Sequence, residues 1–307
     1  MPEAYKGVLQ MTAVQSSIAL GFFDGVHTAH RAIIETAVRK AEMRGLRPVV
    51  LTFDKAPSEV LFGSAPPYIT TLEEKERLIN ALGAQMCLMH TSRSLLSMTA
   101  EEFAEKILVQ EYNAAEVTCG FNYRFGSEGC GDTQLLTKLG KRFGFNVTVV
   151  GERISGGETV SSSRIRTLIS SGRIEEANIL LGRSFSISGT VEHGKRLGRT
   201  IGFPTANVYP QSGALLPMSG VYETVVEING ERLSAITNTG TNPTVGKETL
   251  RTETYIPSAD IDLYGKRITV EFVRFIRPEK KFSDLEALKR QIREDLNGIA
   301  AFNNKKI

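Results

Sequence analysis

Five short apolar runs alternate with helical stretches through the first half of the chain, and this alternation is the strongest constraint on its fold. The runs are Ile18 to Phe23, Leu46 to Phe53, Gln85 to His90, Val117 to Gly120 and Asn146 to Gly151. Each is apolar nearly throughout, the pattern of strands buried on both faces. After the first run, Ile33, Ile34, Ala37, Val38 and Ala41 recur at helical spacing from about Thr28 until Gly45 stops the helix. Thr71 with Glu74 and Thr99 with Glu102 are capping boxes, opening helices that end near Gly83 and Tyr112. Gln134 to Phe143 is a further helix, and the polar, proline-bearing stretch from Asp54 to Tyr68 reads as a loop. Strands of this kind in alternation with helices predict a parallel sheet covered on both faces. Ligands of such sheets bind beyond the carboxyl ends of the strands. The turn ending at His30, the Gly120 to Gly131 loop and the segment after Gly151 all lie at such ends and can converge on one site.

The stretch Ile18 to His30, IALGFFDGVHTAH, carries the densest chemistry of this half. Gly21, Asp24 and Gly25 punctuate a turn between strand and helix, and His27 and His30 stand where the helix begins. Strand, glycine turn and helix N-terminus in that order make a seat for phosphate, to which two imidazoles could donate hydrogen bonds. A metal pair and a pair of packing histidines are the alternatives. Against metal, the other histidines, His90 and His193, are not in ligand spacing with a cysteine. Further on, VSSSRIRTLISSGR from Val160 to Arg173 places Ser162, Ser163 and Arg164 at the mouth of a helix. Hydroxyls, free N–H groups and a guanidinium suit polyphosphate there, with a plain N-cap cluster as the alternative.

Beyond Arg183 glycines and β-branched residues crowd in. Tyr222 to Ile228, Leu233 to Asn238 and Ile268 to Phe275 read as antiparallel strands, and Asn229-Gly230 is a hairpin turn. A compact β-barrel or sandwich follows from this texture, with the boundary near residues 182 to 186. Ser283 with Glu286 is a capping box for a final helix to about Leu296. The run Gly194 to Val208, GKRLGRTIGFPTANV, opens with three glycines and three cations in nine residues. Such a loop lets the backbone approach phosphates, although a barrel also needs glycine at its corners. Thr205 and Asn207 follow at a rigid turn and offer the hard oxygens that magnesium takes beside ATP.

Composition excludes several classes. A net charge of +3 over 307 residues gives no electrostatic case for nucleic acid. No run approaches the ~20 apolar residues of a membrane span, and MPEAYKGVLQM lacks the apolar core of a signal peptide. A cytoplasmic protein without membrane partners is expected. Cys87, Cys119 and Cys130 support neither a disulfide framework nor a zinc knuckle and are expected in or near the core.

Several short runs in order resemble a known family. GFPTAN, then Pro217-x-x-Gly-Val-Tyr222, Asn238-x-Gly-x-x-Pro-Thr244, Glu253-Thr-Tyr, Asp262-Leu-Tyr-Gly265 and Ile276 to Phe282 resemble riboflavin kinase. GFFDGVHTAH, GFNYRFG at Gly120 to Gly126 and SSSRIR resemble FMN adenylyltransferase. Together they are similar to the bifunctional bacterial riboflavin kinase/FAD synthetases over nearly the whole length. The resemblance implies an α/β chain: a Rossmann-like nucleotidyltransferase domain with a parallel sheet over 1–183, then an antiparallel β-barrel kinase domain with a terminal helix over 184–307. It implies phosphorylation of riboflavin to FMN and adenylylation of FMN to FAD, with ATP as co-substrate, Mg2+, and no permanently bound prosthetic group. By the same resemblance Glu253 is the kinase base, Thr205 and Asn207 hold magnesium, and Gly194, Lys195, Gly198 and Gly202 belong to the loop over the nucleotide. His27 and His30 stabilise the α-phosphate during adenylyl transfer, Gly21, Asp24, Ser162, Ser163 and Arg164 lie at the ATP phosphates, and Asn122 lies near the flavin.

The chain departs from the family pattern at four places. Ala29 stands where glycine is usual, Lys55-Ala56-Pro57 where Pro-His-Pro is usual, and Ser163 where threonine is more usual. Ile256 to Ala259 replaces an acidic and aromatic stretch, and Pro257 is expected to end the strand before it. The alternative reading is a riboflavin kinase whose adenylyltransferase domain is weak or inactive. A flavin-binding protein without chemistry is a third reading, opposed by the joint presence of Glu253, Thr205 and Asn207.

Overall fold

The computed structural model describes residues 14–193, 198, 201–228, 230–244, 247–257 and 263–303. Its first half runs β1 (Ser16–Leu20), α1 (Thr28–Arg44), β2 (Arg47–Phe53), α2 (Pro57–Phe62), α3 (Leu72–Ala81), β3 (Gln85–Met89), α4 (Arg93–Leu96) and α5 (Ala100–Glu102), continued by a π-helix over Phe103–Glu111. β4 (Ala114–Gly120), α6 (Thr133–Phe143), β5 (Asn146–Val150) and a small ribbon of β6 (Ile154–Ser155) with β7 (Glu158–Thr159) follow. After them come α7 (Ser162–Ser170), α8 (Ile174–Leu181), β8 (Phe185–Glu192), β9 (Thr205–Tyr209), β10 (Gly220–Ile228), β11 (Glu231–Thr244), β12 (Lys247–Tyr255), β13 (Arg267–Arg277) and α9 (Leu285–Asn303).

The parallel sheet has the order β3-β2-β1-β4-β5. The chain winds outward through β2 and β3 and returns to β4 on the other side of β1. All five residues of β1 are buried, which is why its sequence carries no alternation. Successive side chains enter different cores: Ile18 and Leu20 pack with Leu51, Val117, Phe103 and Leu136 on one face, while Ala19 packs with Val50, Phe23, Ile34 and Ile79 on the other. Each such large aliphatic side chain contributes about 1.5–3 kcal/mol by leaving water. α1 ends where Gly45 takes a left-handed φ of 62° and its N–H closes on the Ala41 carbonyl.

The second sheet closes on itself as β10-β11-β12-β9-β8-β13. The direct pairing of Ile228 with Glu231 leaves a two-residue connection at 229–230, with Gly230 at φ 83°. Asn229 itself lies outside the described residues. The chain packs as two compact units, Met1–Ser162 and Ser163–Ile307. α8 goes with the barrel because its Ile174, Ala177, Leu180 and Leu181 face is buried and Asn178 ties it down, donating to the Phe272 carbonyl at 2.8 Å and accepting the Phe185 N–H at 2.7 Å. The change of texture near residue 183 is where the barrel strands begin, with β8 opening at Phe185.

Four local expectations are corrected. The 54–68 stretch holds a helix, α2, with Pro57 at its first position and Gly63 at φ 74° after its last. The helix opened by Thr99 and Glu102 has both halves of its capping box but widens into a π-helix, where the Tyr112 N–H reaches the Ile107 carbonyl at 3.1 Å. The final helix starts on Asp284, whose carboxylate accepts the Ala287 N–H at 2.8 Å, while Ser283 donates to that carboxylate; it runs on to Asn303. A carboxylate is the stronger acceptor and stands one residue nearer the first turn. Cys87 and Cys119 are buried, but Cys130 is exposed in the 120–131 loop.

Glu116 is a carboxylate that the sheet buries, with a side chain 4% exposed. It accepts from Lys40 at 2.8 Å and from Asn146 at 2.9 Å, and Arg44 is its third partner. Burial pushes its carboxyl up, yet the hydrogen bonds from Lys40, Asn146 and Arg44 outweigh this and the net shift is downward. Its stabilising contribution is thus present above the unfolded carboxyl value and is lost as pH falls through the lower folded value. Glu116→Gln should cost about 1–2 kcal/mol at pH 7, and in urea melts the gap to wild type should close as pH drops below about 4.

Candidate functional site

In the first unit the site grows from the carboxyl end of β1. The reversal of strand order between β1 and β4 opens a crevice at their ends, where Leu20 and Gly120 stop. Gly21 is needed there because a Cβ would meet the Phe23 ring at 2.9 Å. Phe23 and Val26 both hold positive φ, 54° and 39°, a strained backbone for these residue types that burial on all sides sustains. Asp24, 1% exposed, accepts the Ile69 N–H at 3.0 Å and the Thr70 N–H at 3.1 Å. It anchors the 69–70 segment from inside the turn. Ser162 donates to the Asp24 carbonyl at 2.9 Å, so the last residue of the unit closes on the same turn.

The two histidines sit at the start of α1, one above the other. His27 is the N-cap: its Nδ1 accepts the His30 N–H at 3.3 Å. That bond leaves the proton of a neutral His27 on Nε2, which becomes a donor. The two rings stack with centroids 3.5 Å apart at 17°, and the Phe23 ring meets His30 edge-on at 5.2 Å. His30 Nδ1 is buried with no hydrogen-bond partner among the described residues. Burial first, then the charges of His27 and Lys75, hold the His30 ring well below 6.5. The site thus offers a His30 imidazole held neutral in the neutral range, the stacked His27 ring and a helix N-terminus, groups that can receive an anion. Among the described residues no group of three or more histidine, cysteine or carboxylate side chains is placed to hold a metal ion. Asn122 is exposed two residues past the end of β4. Ser163 and Arg164 follow Ser162 in the first turn of α7.

The second unit carries its site on the outer face of the barrel wall. Along β12 the side chains alternate: Thr252 and Thr254 are buried, Thr254 within 2.9 Å of the Thr237 hydroxyl, while Glu253 and Tyr255 face the other way. Register sets Glu253 between Asn238 on β11 and Asn207 on β9, and Tyr255 opposite Thr205. All five line a cavity of about 600 Å³, closed on its far side by Leu288 and Ile292 of α9. α9 is fastened there by Arg277, which donates to Asp295 at 2.8 Å. Ile201, Phe203, Val221 and Ile236 supply an apolar lining. Asn207 and Asn238 each present a buried Oδ1 with no partner among the described residues, and Asn238 donates to Glu279 at 3.1 Å.

Gly198 lines this cavity too, and a side chain on it would run into the Phe203 carbonyl and come up against the Thr205 hydroxyl. Gly202 lies in the same turn at φ 84°, exposed. Gly194 and Lys195 lie outside the described residues. Pro257 follows the strand, which ends at Tyr255. The structure therefore gathers Gly198, Thr205, Asn207 and Glu253 at one cavity, and Gly21, Asp24, His27, His30 and Ser162 at one turn. Sequence reasoning passed over Asn238 and Glu279 as site residues and missed Lys75 of α3 entirely. Helical spacing could have found the last, since Lys75 falls on the apolar stripe of Leu72, Leu78, Ile79 and Leu82.

Comparison with known proteins bears on both halves. Residues 9–164 match the FAD synthetase family model and residues 181–302 the riboflavin kinase model. The bifunctional riboflavin kinase/FMN adenylyltransferase of Listeria monocytogenes is 36% identical over 297 residues, covering 95% of this chain and 94% of that protein. The protein of the same description from Escherichia coli is 37% identical over 282 residues, covering 91% and 90%. That from Bacillus subtilis is 36% identical over 302 residues, covering 94% and 93%. A crystal structure described as a macrolide-efflux protein from Streptococcus pneumoniae has the same fold, with a TM-score of 0.86 at 32% identity over 93% of this chain and 94% of that one. No helix among the described residues is long and apolar enough to cross a membrane.

The stacked pair gives a direct spectroscopic expectation. In a ring-proton NMR titration His30 should remain neutral at pH 6.5 and protonate only well below it. A midpoint at or above 6.5 would contradict its burial against His27.

Proposed function

The chain belongs to the bifunctional riboflavin kinase/FMN adenylyltransferase family, and from that premise we propose how its residues divide the work. The protein phosphorylates riboflavin to FMN and adenylylates FMN to FAD, with ATP as co-substrate of both steps. Both family models match, which favours two working halves over a kinase with an idle partner. We assign adenylyl transfer to residues 1–183 and the kinase step to residues 184–307.

The observation that carries the kinase assignment is Glu253, set in register between two asparagines whose Oδ1 atoms are buried and unpartnered among the described residues. Glu253 takes the proton of the riboflavin 5′-hydroxyl as that oxygen bonds to the γ-phosphorus of ATP and the bond to the β-phosphate oxygen breaks, releasing ADP. The apolar lining of Ile201, Phe203, Val221 and Ile236 suits a flat tricyclic ring. The orphan Oδ1 of Asn207, with the Thr205 hydroxyl in the same cavity, is an oxygen donor set of the kind Mg2+ takes, so these two residues would hold it. Bound there, Mg2+ would supply positive charge to the nucleotide phosphates. To Gly194, Lys195, Gly198 and Gly202 we assign the contact with those phosphates.

In adenylyl transfer an FMN phosphate oxygen bonds to the α-phosphorus of ATP while the bond to the pyrophosphate oxygen breaks. No enzyme group needs to become covalently attached, so the protein positions and stabilises. His27 and His30 donate to the α-phosphate from the head of α1. Gly21 and Asp24 hold the turn that aims them, Ser162, Ser163 and Arg164 add contacts to the ATP phosphates, and Asn122 lies by the flavin nucleotide. The substrates are the small molecules riboflavin, FMN and ATP, and a cytoplasmic location fits the pool that supplies them.

Purified protein given riboflavin, ATP and Mg2+ should accumulate FAD through FMN. Replacing both His27 and His30 by alanine should lower FAD formation about a hundredfold or more and leave FMN as the product. Glu253→Gln should lower FMN formation by about two to four orders of magnitude while added FMN is still converted to FAD. Unchanged FAD output from the histidine variant would remove the phosphate seat from α1.

A further inference from the structure

Lys75 has no part in the reaction as described, yet it lies buried at the foot of the phosphate seat. It is 2% exposed on α3, and its Nζ donates to the Phe22 carbonyl at 2.9 Å, 4.3 Å from the centre of the Phe22 ring. The Thr52 hydroxyl, from β2, donates to the same carbonyl at 2.9 Å. That carbonyl belongs to the segment between the end of β1 and the strained residues Phe23 and Val26. A lysine ammonium in such a place ordinarily has a carboxylate against it. Here none of the described carboxylates forms an ion pair with Nζ; Asp24 is near enough to act on its charge, but its oxygens are turned to Ile69 and Thr70. His30, at the head of α1, is near enough to feel its charge, and the Tyr68 phenol stands by the Phe22 ring, with 6.1 Å between ring centres.

We propose that Lys75 is a positioning residue for adenylyl transfer: its buried ammonium clamps the Phe22 carbonyl and stores, beneath the start of α1, a positive charge that the incoming phosphates complete. The inference rests on the assignment of those phosphates to the His27–His30 turn. It explains why a buried cation with no ion-pair partner among the described residues is kept, because the missing anion is the nucleotide. It also gives the turn two functions in one contact. The hydrogen bond sets the backbone, and the charge favours an anion and disfavours a proton on His30.

These two functions separate with pH. Burial pulls the Lys75 amine down to about 8, partly offset by Asp24. A deprotonated Lys75 can still donate to Phe22 but no longer carries charge. In wild type, kcat/KM for ATP in FAD formation from FMN should therefore fall as pH rises through about 8, roughly tenfold once the amine is neutral. Lys75→Arg keeps its charge, so that fall should be absent up to about pH 9.5. Lys75→Met should sit about tenfold below wild type at pH 7 and stay level through the same range, with a melting curve recorded beside it. An alkaline fall of the same midpoint in wild type and Lys75→Arg would overturn the proposal, leaving Lys75 as scaffold, and this comparison decides even if Lys75→Met does not fold. If the phosphates bind elsewhere, the doubled histidine variant will keep its FAD output. An unchanged alkaline limb with the histidine variant inactive removes Lys75 alone.

Discussion

β1 has no face turned to water, and the first unit depends on that constraint. A strand buried on both sides and paired on both edges can present chemistry only where it stops. Its carboxyl end lies where the strand order reverses, so the residues just beyond Leu20 face an opening instead of another strand. The backbone there is bent through two non-glycine residues at positive φ, and it is held by atoms from three directions. Asp24 reaches the 69–70 segment, Thr52 and Lys75 reach the Phe22 carbonyl, and Ser162 reaches the Asp24 carbonyl. Strain at such a turn persists because its surroundings over-determine it. The reward is placement: His27 and His30 arrive at the head of α1 already stacked, with one tautomer of His27 selected by the cap it makes.

The barrel solves the same problem by the opposite route. Its strands alternate, so each offers one face to the interior and one to the outside. The interior takes Thr224, Thr237 and Thr254, whose hydroxyls satisfy one another in a short ladder. The outer face is then free to carry Thr205, Asn207, Asn238 and Glu253 as cross-strand neighbours. α9 roofs this face, fixed by the Arg277–Asp295 pair, of which Asp295 is 7% exposed. Closing the cavity with a helix brings apolar side chains over the polar wall. A wall of donors and acceptors under an apolar roof matches a substrate with a polar chain and a flat ring.

The architecture was readable from the sequence because it rests on periodicity, and periodicity is local. Continuous runs gave the parallel sheet, alternating runs the barrel, and left-handed glycines such as Gly45 the helix ends. The short helix α2 and the π-helical turn before Tyr112 were not readable, since both depend on what packs against them. The site divides in the same way. Residues in short motifs, His27, His30, Thr205, Asn207 and Glu253, stand out by type and spacing. Register was needed to set Asn238 beside Glu253, and packing to show that Asp24 faces inward. Lys75 was hidden for a different reason: charge is taken as a sign of exposure, and this lysine occupies a position its helix reserves for apolar side chains.

The departures from the family pattern can be weighed in the same terms. Ala29 falls in the first turn of α1, where the backbone is helical; alanine there favours the helix by about 1 kcal/mol over glycine. The Lys55-Ala56-Pro57 segment has lost an imidazole but not its anchorage. The Asp54 carboxylate accepts from the Thr91 N–H and hydroxyl at 2.8 and 2.7 Å, the Lys55 N–H reaches Thr91, and the Ala56 N–H reaches the Tyr68 hydroxyl at 3.1 Å. Tyr68 in turn donates to Glu59 at 2.7 Å, inside α2. The loop is thus held by its neighbours through backbone groups: the Ala56 N–H, which any residue but proline would supply, and the Lys55 N–H, which the usual proline would lack. The substitution therefore adds a backbone donor at 55 and changes two side chains, an exposed Lys55 and a buried Ala56, while the hydrogen bonds that hold the turn carrying His27 and His30 come from other residues.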